Sequence, residues 1–465
     1  YARTRRKPVF LHMQTIRLMG HAGADVELSY APIVQIEAAE AQDPLLHSAR
    51  ILHEQAGMSG AEIVARYEDM RARVDRVAQD ALAKPRLLTA AEVMASIEPE
   101  KSAKPPQPLP HTAARDALFI KDARNLAKPA TLAKSINFAL ADIMLQYPQV
   151  AVFGEDVARK GGVYGVTQGL QEKFGAARVF DTLLDEQTIL GLAIGMAHNG
   201  FVPMPEIQFL AYLHNAEDQI RGEAATLSFF SNKQYRNPMV IRIAGLPYQK
   251  GFGGHFHNDN SLAVLTDIPG IIVACPSSAA DAPAMLRECV RLAHEDGRVV
   301  VFLEPIALYH TTDLHQPEDG GWTAPYVAPD QDKVIAQGSL GQSGKGTELA
   351  IITYGNGYFL SRQASSDLEA SGMDLRIIDL RWLHPLNAEA IVAAVADCKK
   401  ILIVDECRRS GSLSEKLMTI LNEAGRGDAV SRITAEDCFI PLGPAAELVL
   451  PSKTSIIEAA RAAVA

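Results

Sequence analysis

No Cys-x-x-Cys pair, no Gly-x-Gly-x-x-Gly loop, no Walker-type phosphate loop and no apolar run long enough to span a bilayer occurs in these 465 residues. The first absence removes the usual zinc and redox pairings. The five cysteines, Cys275, Cys289, Cys398, Cys407 and Cys438, are odd in number and scattered. That set reads as reduced thiols of a cytoplasmic protein, not a disulfide framework. The missing glycine signatures leave nucleotide binding without direct support. A surplus of basic residues is also lacking: 45 Lys and Arg face 55 Asp and Glu, a net charge of −10. Nucleic acid and anionic membrane both demand a basic surface and are excluded as main partners.

What is present is an alternation of strands and helices on a chain long enough for about two to four domains. The basic opening YARTRRK runs straight into PVFLHMQTIRL without the apolar region or cleavage site of a targeting peptide, and reads as the interior of a larger protein. Residues 1–97 open on that segment, predicted to be a strand, followed by the loop GHAGADVELSY. Leu45, Leu46, Ala49 and Leu52 predict a helix near 44–56. Ser59 is the expected N-cap of a second, carrying Ile63, Val64, Tyr67 and Met70 through 59–82. Pro99, Pro105, Pro106, Pro108 and Pro110 then mark an extended, semi-rigid linker over 98–130. In 131–325 the runs VAVFGEDV, PMVIRIAG, IIVACPSS and VVVFLEP alternate with helical stretches. A Gly-, Asp-, Gln- and Pro-rich connector over 311–346 leads, within 326–465, to TELAIITYGN, DLRIIDLRWL and KKILIVDE, and the chain closes on the helix SIIEAARAAVA. Short, nearly continuous apolar strands predict an α/β fold of parallel sheets covered by helices. In such sheets ligands bind past the carboxyl ends of strands.

Four places could carry chemistry. Glu186, in RVFDTLLDEQTILGLAIGMA, opens an apolar helix beside Leu183, Leu184, Ile189 and Leu190. It is either a first-turn carboxylate favoured by the helix dipole or an acid kept protonated by an apolar pocket. In GFGGHFHNDN, Gly251, Gly253 and Gly254 form a tight loop. His255, His257 and Asp259 alternate, so on a strand they would share a face. Three readings are open: a metal site, one catalytic histidine, or a surface loop. Phe209 and Tyr212 in EIQFLAYLHNAEDQI follow a strand, as core residues or as a platform for a flat heterocycle. Arg17 and His21 flank the loop GHAGAD, as contacts to an anion or as parts of a plain turn.

Taken together, FGEDV, GGVYGVTQGLQEKFGAARVFDT, the Glu186 helix, EIQFLAY, IPGIIVACPSS, IDLRWLHPL and ITAEDCFIPLGPAAELVLPS resemble the β subunit of the thiamine-diphosphate-dependent 2-oxo acid dehydrogenases, the E1 family, over 131–465. PVFLHMQTIRLMGHAGAD and the helix start DPL resemble the tail of its α subunit. The resemblance implies a transketolase-like fold. A remnant of a diphosphate-binding domain would fill 1–97, a pyrimidine-binding domain 131–325 and a transketolase C-terminal-like domain 326–465. It assigns Glu186 to the cofactor's aminopyrimidine ring, Tyr212 to stacking on that ring and His257 to proton transfer. His21, with Arg17 more weakly, falls near the diphosphate and the lipoyl entrance. With His257 so placed, the metal reading of its loop recedes. The implied reaction is oxidative decarboxylation of a small 2-oxo acid, branched-chain or pyruvate-like, with acyl transfer to the lipoyl domain of an E2 acyltransferase. The implied assembly is a homodimer of fused chains equivalent to α2β2.

Departures from the family pattern matter. Its His-Ser-Gln motif stands here as His257-Asn258-Asp259, and Ala22 stands where some members carry a serine that is phosphorylated. No Gly-Asp-Gly with a following asparagine, the family's magnesium (Mg2+) and diphosphate motif, occurs, so those ligands are expected upstream of Tyr1. Two rivals stand beside this reading: a transketolase or deoxyxylulose-phosphate synthase on the same scaffold, and a non-catalytic scaffold chain.

Overall fold

Asp43 and Ser59 open the two longest helices of the N-terminal residues by satisfying free backbone N–H groups. The Asp43 carboxylate accepts from Leu45 N at 2.7 Å, and Pro44, which has no N–H to lose, begins the helix Pro44–Ala56. Ser59 and Glu62 cap each other reciprocally at the start of Gly60–Leu82. Gly57, at φ +65°, ends the first of them in the left-handed conformation that suits glycine. The computed structural model describes residues 1–101, 105–247 and 253–465. They form two units, Tyr1–Leu88 and Thr89–Ala465. Gly251 and linker residues 102–104 lie outside the described residues.

In the first unit the predicted strand over 8–18 is not formed. Its side chains stand open, Phe10 at 92 % exposure, and no neighbouring strand pairs with it. Apolar alternation alone cannot hold a strand without a partner for its backbone groups.

Among its described residues the second unit carries twelve strands: β1 Val150–Gly154, β2 Val179–Asp181, β3 Val202–Ile207, β4 Met239–Gly245, β5 Ile272–Ala274, β6 Val299–Pro305, β7 Gly341–Gly344, β8 Leu349–Thr353, β9 Leu375–Asp379, β10 Trp382–His384, β11 Lys400–Arg408 and β12 Val430–Ala435. They make a seven-stranded sheet, β10-β5-β6-β4-β3-β1-β2, and a five-stranded one, β12-β11-β8-β9-β7. Pairing is parallel except at one edge of each sheet, where β10 and β7 run antiparallel. Both sheets are therefore mixed. β1, β3, β4, β5 and β6 are buried along their whole length, as their apolar runs require.

The helices Leu132–Gln146 and Ala282–Asp296 share one core with a face of the first sheet. A second core runs continuously from its other face, through Phe153, Ile243 and Val273, to Ile352 of the second sheet, Tyr354 just after it and Leu417 on the helix Leu413–Glu423. β10 reinforces that union, because a strand lying after β9 in sequence completes the edge of the first sheet. Of the expected linker, 98–111 holds no helix or strand among the described residues, as its prolines dictate. Thr112–Phe119 and Ala123–Leu126 are instead helical. Arg115 is bonded to the buried Asp142 at 2.8 and 3.2 Å, and Phe119 packs edge-on against Phe138. Among the described residues no helix is long and apolar enough to cross a membrane.

Candidate active site at the carboxyl ends of the first sheet

The segments that follow β1, β2, β3 and β4 gather the candidate residues. Asp185 caps the helix Glu186–His198 by accepting from Thr188 N at 3.2 Å. This fixes Glu186 in the first turn, where the helix dipole favours a carboxylate. Glu186 is 5 % exposed. Its Oε2 accepts from Asn215 Nδ2 at 2.8 Å, and no other hydrogen bond reaches the carboxylate among the described residues. Ile189 and Leu190 are buried beside it, but Leu183 and Leu184, expected as further walls, are 75 % and 79 % exposed. They precede the cap, where the helix does not constrain their direction, so only half of the anticipated apolar surround is present.

The short 3-10 helix Leu210–Asn215 follows β3 and serves two purposes. Asn215 holds Glu186, and Tyr212 joins a ring cluster. The Phe209 centroid lies 5.4 Å from Tyr212 and 4.5 Å from His257, both edge-on, and Tyr212 lies 6.2 Å from His257. Burial, then the nearby Glu155 and Glu186 carboxylates, raise the Tyr212 phenol above its ordinary pKa. Glu186, Tyr212 and His257 are thus gathered into one site.

His257 is presented by a turn, not by a strand. Gly253 and Gly254 have φ of +70° and +54°, values an extended strand cannot contain. A Cβ on Gly253 would stand 2.1 Å from His257 Nδ1, so glycine is required there. His255, His257 and Asp259 consequently do not share a face. His255 packs by Phe439, with centroids 5.4 Å apart, and Asp259 turns to His214, Ser261 and Arg408. Among the described residues no three His, Cys, Asp or Glu side chains are grouped to hold a metal.

Glu155, which the sequence reading quoted within FGEDV without singling it out, sits directly after β1. It is buried, with Oε1 lacking a hydrogen-bond partner. Burial, and behind it the charges of Glu186, Asp156 and Glu206, push its pKa up to about 7. A carboxylate one residue beyond a buried strand was the available signal. Because its folded pKa lies above the unfolded value, Glu155 binds a proton more readily folded than unfolded. Stability falls as pH rises from about 4.5 through about 7. Glu155→Gln should therefore unfold at the same urea concentration as wild type at pH 4. At pH 8 it should gain about 1–3 kcal/mol. Equal midpoints at pH 8 would show that Glu155 is already solvated.

Beneath the site, Arg242 on β4 bridges Glu206 on β3 at 2.7 Å and Glu304 on β6 at 2.7 and 2.9 Å. His21 and Arg17 belong to the first unit, and both are exposed. There Asp25 shapes the GHAGAD loop by accepting from His21 N at 2.7 Å and from the Tyr30 hydroxyl at 3.1 Å.

Residues 128–310 match the family described as transketolase, pyrimidine binding domain, and residues 339–456 match transketolase, C-terminal domain. The pyruvate dehydrogenase E1 component subunit beta of Bacillus subtilis is 33 % identical over 337 residues, covering 71 % of this chain and 97 % of that one. The protein of the same description from Staphylococcus aureus is 34 % identical with the same coverage. Among solved structures, a split-gene transketolase described as an inactive β4 tetramer superposes with a TM-score of 0.56. That match covers 72 % of this chain and 98 % of that one at 19 % identity, and it speaks for the fold alone. With a transketolase-like fold and relatives of this identity and coverage, the chain belongs to the β-subunit-like E1 components of the thiamine-diphosphate-dependent 2-oxo acid dehydrogenases.

Proposed function

We propose that the chain provides the pyrimidine-binding half of a thiamine-diphosphate site that decarboxylates a small 2-oxo acid, pyruvate-like or branched-chain, and delivers the acyl group to the lipoyl group of an E2 acyltransferase. One observation carries this reading: Glu186 is buried, tethered by Asn215 through one oxygen, and left among the described residues without a hydrogen bond on the other, beside the Phe209, Tyr212 and His257 rings. That is the donor set a flat, nitrogen-bearing ring needs: a carboxyl to share a proton with a ring nitrogen and an aromatic to stack on. The residues therefore fit the pyrimidine of the cofactor, which supplies an electron sink for the carbanion left by decarboxylation. Glu186 would hold the proton shared with the ring, Tyr212 would orient the ring, and His257 would move a proton at the substrate oxygen or the lipoyl sulfur.

His21 and Arg17 would approach the diphosphate and the lipoyl entrance, in a fused homodimer equivalent to α2β2. Residues 1–97 would be the α-like remnant, 98–130 the linker, and 131–325 and 326–465 the two β-like domains, in a cytoplasmic enzyme. Magnesium and its diphosphate ligands would come from outside the residues described here. Steady-state assays of the complete enzyme with pyruvate, 2-oxoisovalerate and 2-oxoglutarate, each with lipoamide, test the proposal. Turnover of sugar phosphates instead would assign it to the transketolases, and no turnover of either would favour a scaffold.

The same division of labour predicts that residues 1–465 alone bind thiamine diphosphate poorly. Stacking adds only about 0.5–1.5 kcal/mol beyond area burial, against an association cost on the order of 4–15 kcal/mol. A dissociation constant near or above about 1 mM is expected. Micromolar binding in calorimetry with magnesium would place a diphosphate site within these residues.

A further inference from the structure

Asp259 stands where the family pattern has a neutral glutamine, two residues after the histidine. A buried charge at that point needs compensation, and the structure supplies it from two sides. Asp259 Oδ2 lies 3.3 Å from His214 Nε2. Its Oδ1 accepts from Ser261 Oγ at 2.7 Å, from Asn260 N at 2.9 Å and from Arg408 Nη2 at 3.4 Å. Arg408, at the end of β11, also donates to Ser261 Oγ at 3.0 Å and to the Cys438 carbonyl at 3.3 Å. His214 sits between Tyr212 and Asn215 on one short 3-10 helix. That helix thus has three attachments: Asn215 to Glu186, Tyr212 to the ring cluster, and His214 to the loop that bears His257.

We propose that Asp259 is a positioning residue, a charged clasp that fixes the His257 loop between the Tyr212 helix and Arg408 of the second sheet. The proposal rests on the reading of His257 as the proton-transfer group. An uncharged side chain at this position would draw in neither His214 nor Arg408. A displacement of His257 by about 1 Å is enough to slow a proton transfer a hundredfold, so a loop anchored at both ends has kinetic consequences. The groups facing His214 are Asp259, Glu217 at 3.9 Å and Arg408. The bond to Asp259 outweighs burial and raises the imidazole's pKa. Burial opposes the Asp259 carboxylate, but the bonds from His214 and Ser261 and the charge of Arg408 prevail and hold its pKa below the ordinary value. The charged pair therefore loses its His214 half as pH rises through the raised His214 value and its Asp259 half as pH falls through the lowered Asp259 value.

The test uses the complete holoenzyme and the 2-oxo acid that serves wild type best. Asp259→Asn should lower kcat about tenfold to a hundredfold with KM within about twofold of wild type. Exchange of the bound cofactor's C2 proton should persist, since the Glu186–Asn215 bond does not run through Asp259. In nitrogen-15 histidine spectra the His214 titration midpoint should fall in Asp259→Asn and recover in Asp259→Glu. Amide hydrogen exchange over residues 255–262 should quicken in the first variant only. Wild-type kcat together with an unmoved His214 midpoint in Asp259→Asn would overturn the clasp. Loss of C2 exchange in parallel with kcat would overturn it too, by showing a general collapse of the site. If wild type turns over no 2-oxo acid, the functional reading fails, and the titration and exchange measurements still decide whether the clasp exists.

Discussion

Glu186→Gln should leave the protein folded and remove turnover by about two to four orders of magnitude. The substitution keeps shape and volume, and an amide oxygen can still accept the bond from Asn215 Nδ2 that the carboxylate receives at 2.8 Å. Lost are the negative charge at the first turn of the helix Glu186–His198 and the ability to share a proton with a ring nitrogen. The first loss changes stability by only about 0.3–1 kcal/mol. The second would remove the group proposed to make the cofactor's C2 proton labile. Two measurements separate them. Urea unfolding should shift slightly, and deuterium exchange at C2 of bound thiamine diphosphate, followed by proton NMR after acid quench, should slow to the rate of the free cofactor. Exchange at the wild-type rate in the variant would sink the role assigned to Glu186 whatever the turnover. Glu155 is the nearest alternative proton carrier, and Glu155→Gln in the same assay shows whether the two carboxyls act together.

The elements that were legible in the sequence are those whose stability is local or whose burial is complete. Ser59 with Glu62, and Asp43 with Pro44, mark helix starts because capping is settled within four residues. β4 and β6 read directly as strands because both of their faces are buried. The segment 8–18 misled because apolar alternation reports what a chain could bury, not whether a neighbour exists. β10 merges with β9 when DLRIIDLRWL is read as one strand; Arg381, at φ +58°, breaks that run, and WLH pairs instead with the edge that β5 offers. In the site, Glu186, Tyr212 and His257 are candidates from local pattern whose roles come only from a resemblance; the structure puts Tyr212 and His257 in one ring cluster and ties Glu186 to the Tyr212 helix through Asn215. The role of Asp259 could not be read from HNDN, since its partners lie 45 and 149 residues away. Glu155 was passed over because a carboxylate after a strand looks the same whether it faces water or another carboxylate.

Arg242→Leu should be the most destabilising single change near the site, at about 3–5 kcal/mol near neutral pH. Arg242 is 1 % exposed. Its Nε and Nη2 bond both oxygens of Glu304, at 2.7 and 2.9 Å, and its Nη1 bonds Glu206 Oε2 at 2.7 Å. The Tyr309 hydroxyl completes the set with a 2.6 Å bond to Glu304 Oε2. One guanidinium thus answers two carboxylates on flanking strands, and its pKa is raised because those charges outweigh its burial. Leucine fills much of the volume but leaves Glu206 and Glu304 buried without a counter-charge. Each must then take up a proton or draw water into the sheet. Burial already lifts Glu206 above the ordinary carboxylate range even with the arginine present, and without it both acids would titrate far higher than in the unfolded chain. The sign follows: the variant binds protons more tightly when folded, so its deficit is widest at pH 8 and narrows toward pH 5. Urea unfolding at the two pH values measures both the size and the slope. Arg242→Met combined with Glu304→Gln should recover part of the loss, because the fault lies in unpaired charge and not in a missing shape. A deficit below about 1 kcal/mol, or one independent of pH, would mean that water already reaches these carboxylates. Burial, then Glu186 and Asp156, hold the Glu155 pKa up, with Glu206 the smallest contributor, so neutralising Glu206 by protonation should lower the Glu155 pKa only slightly.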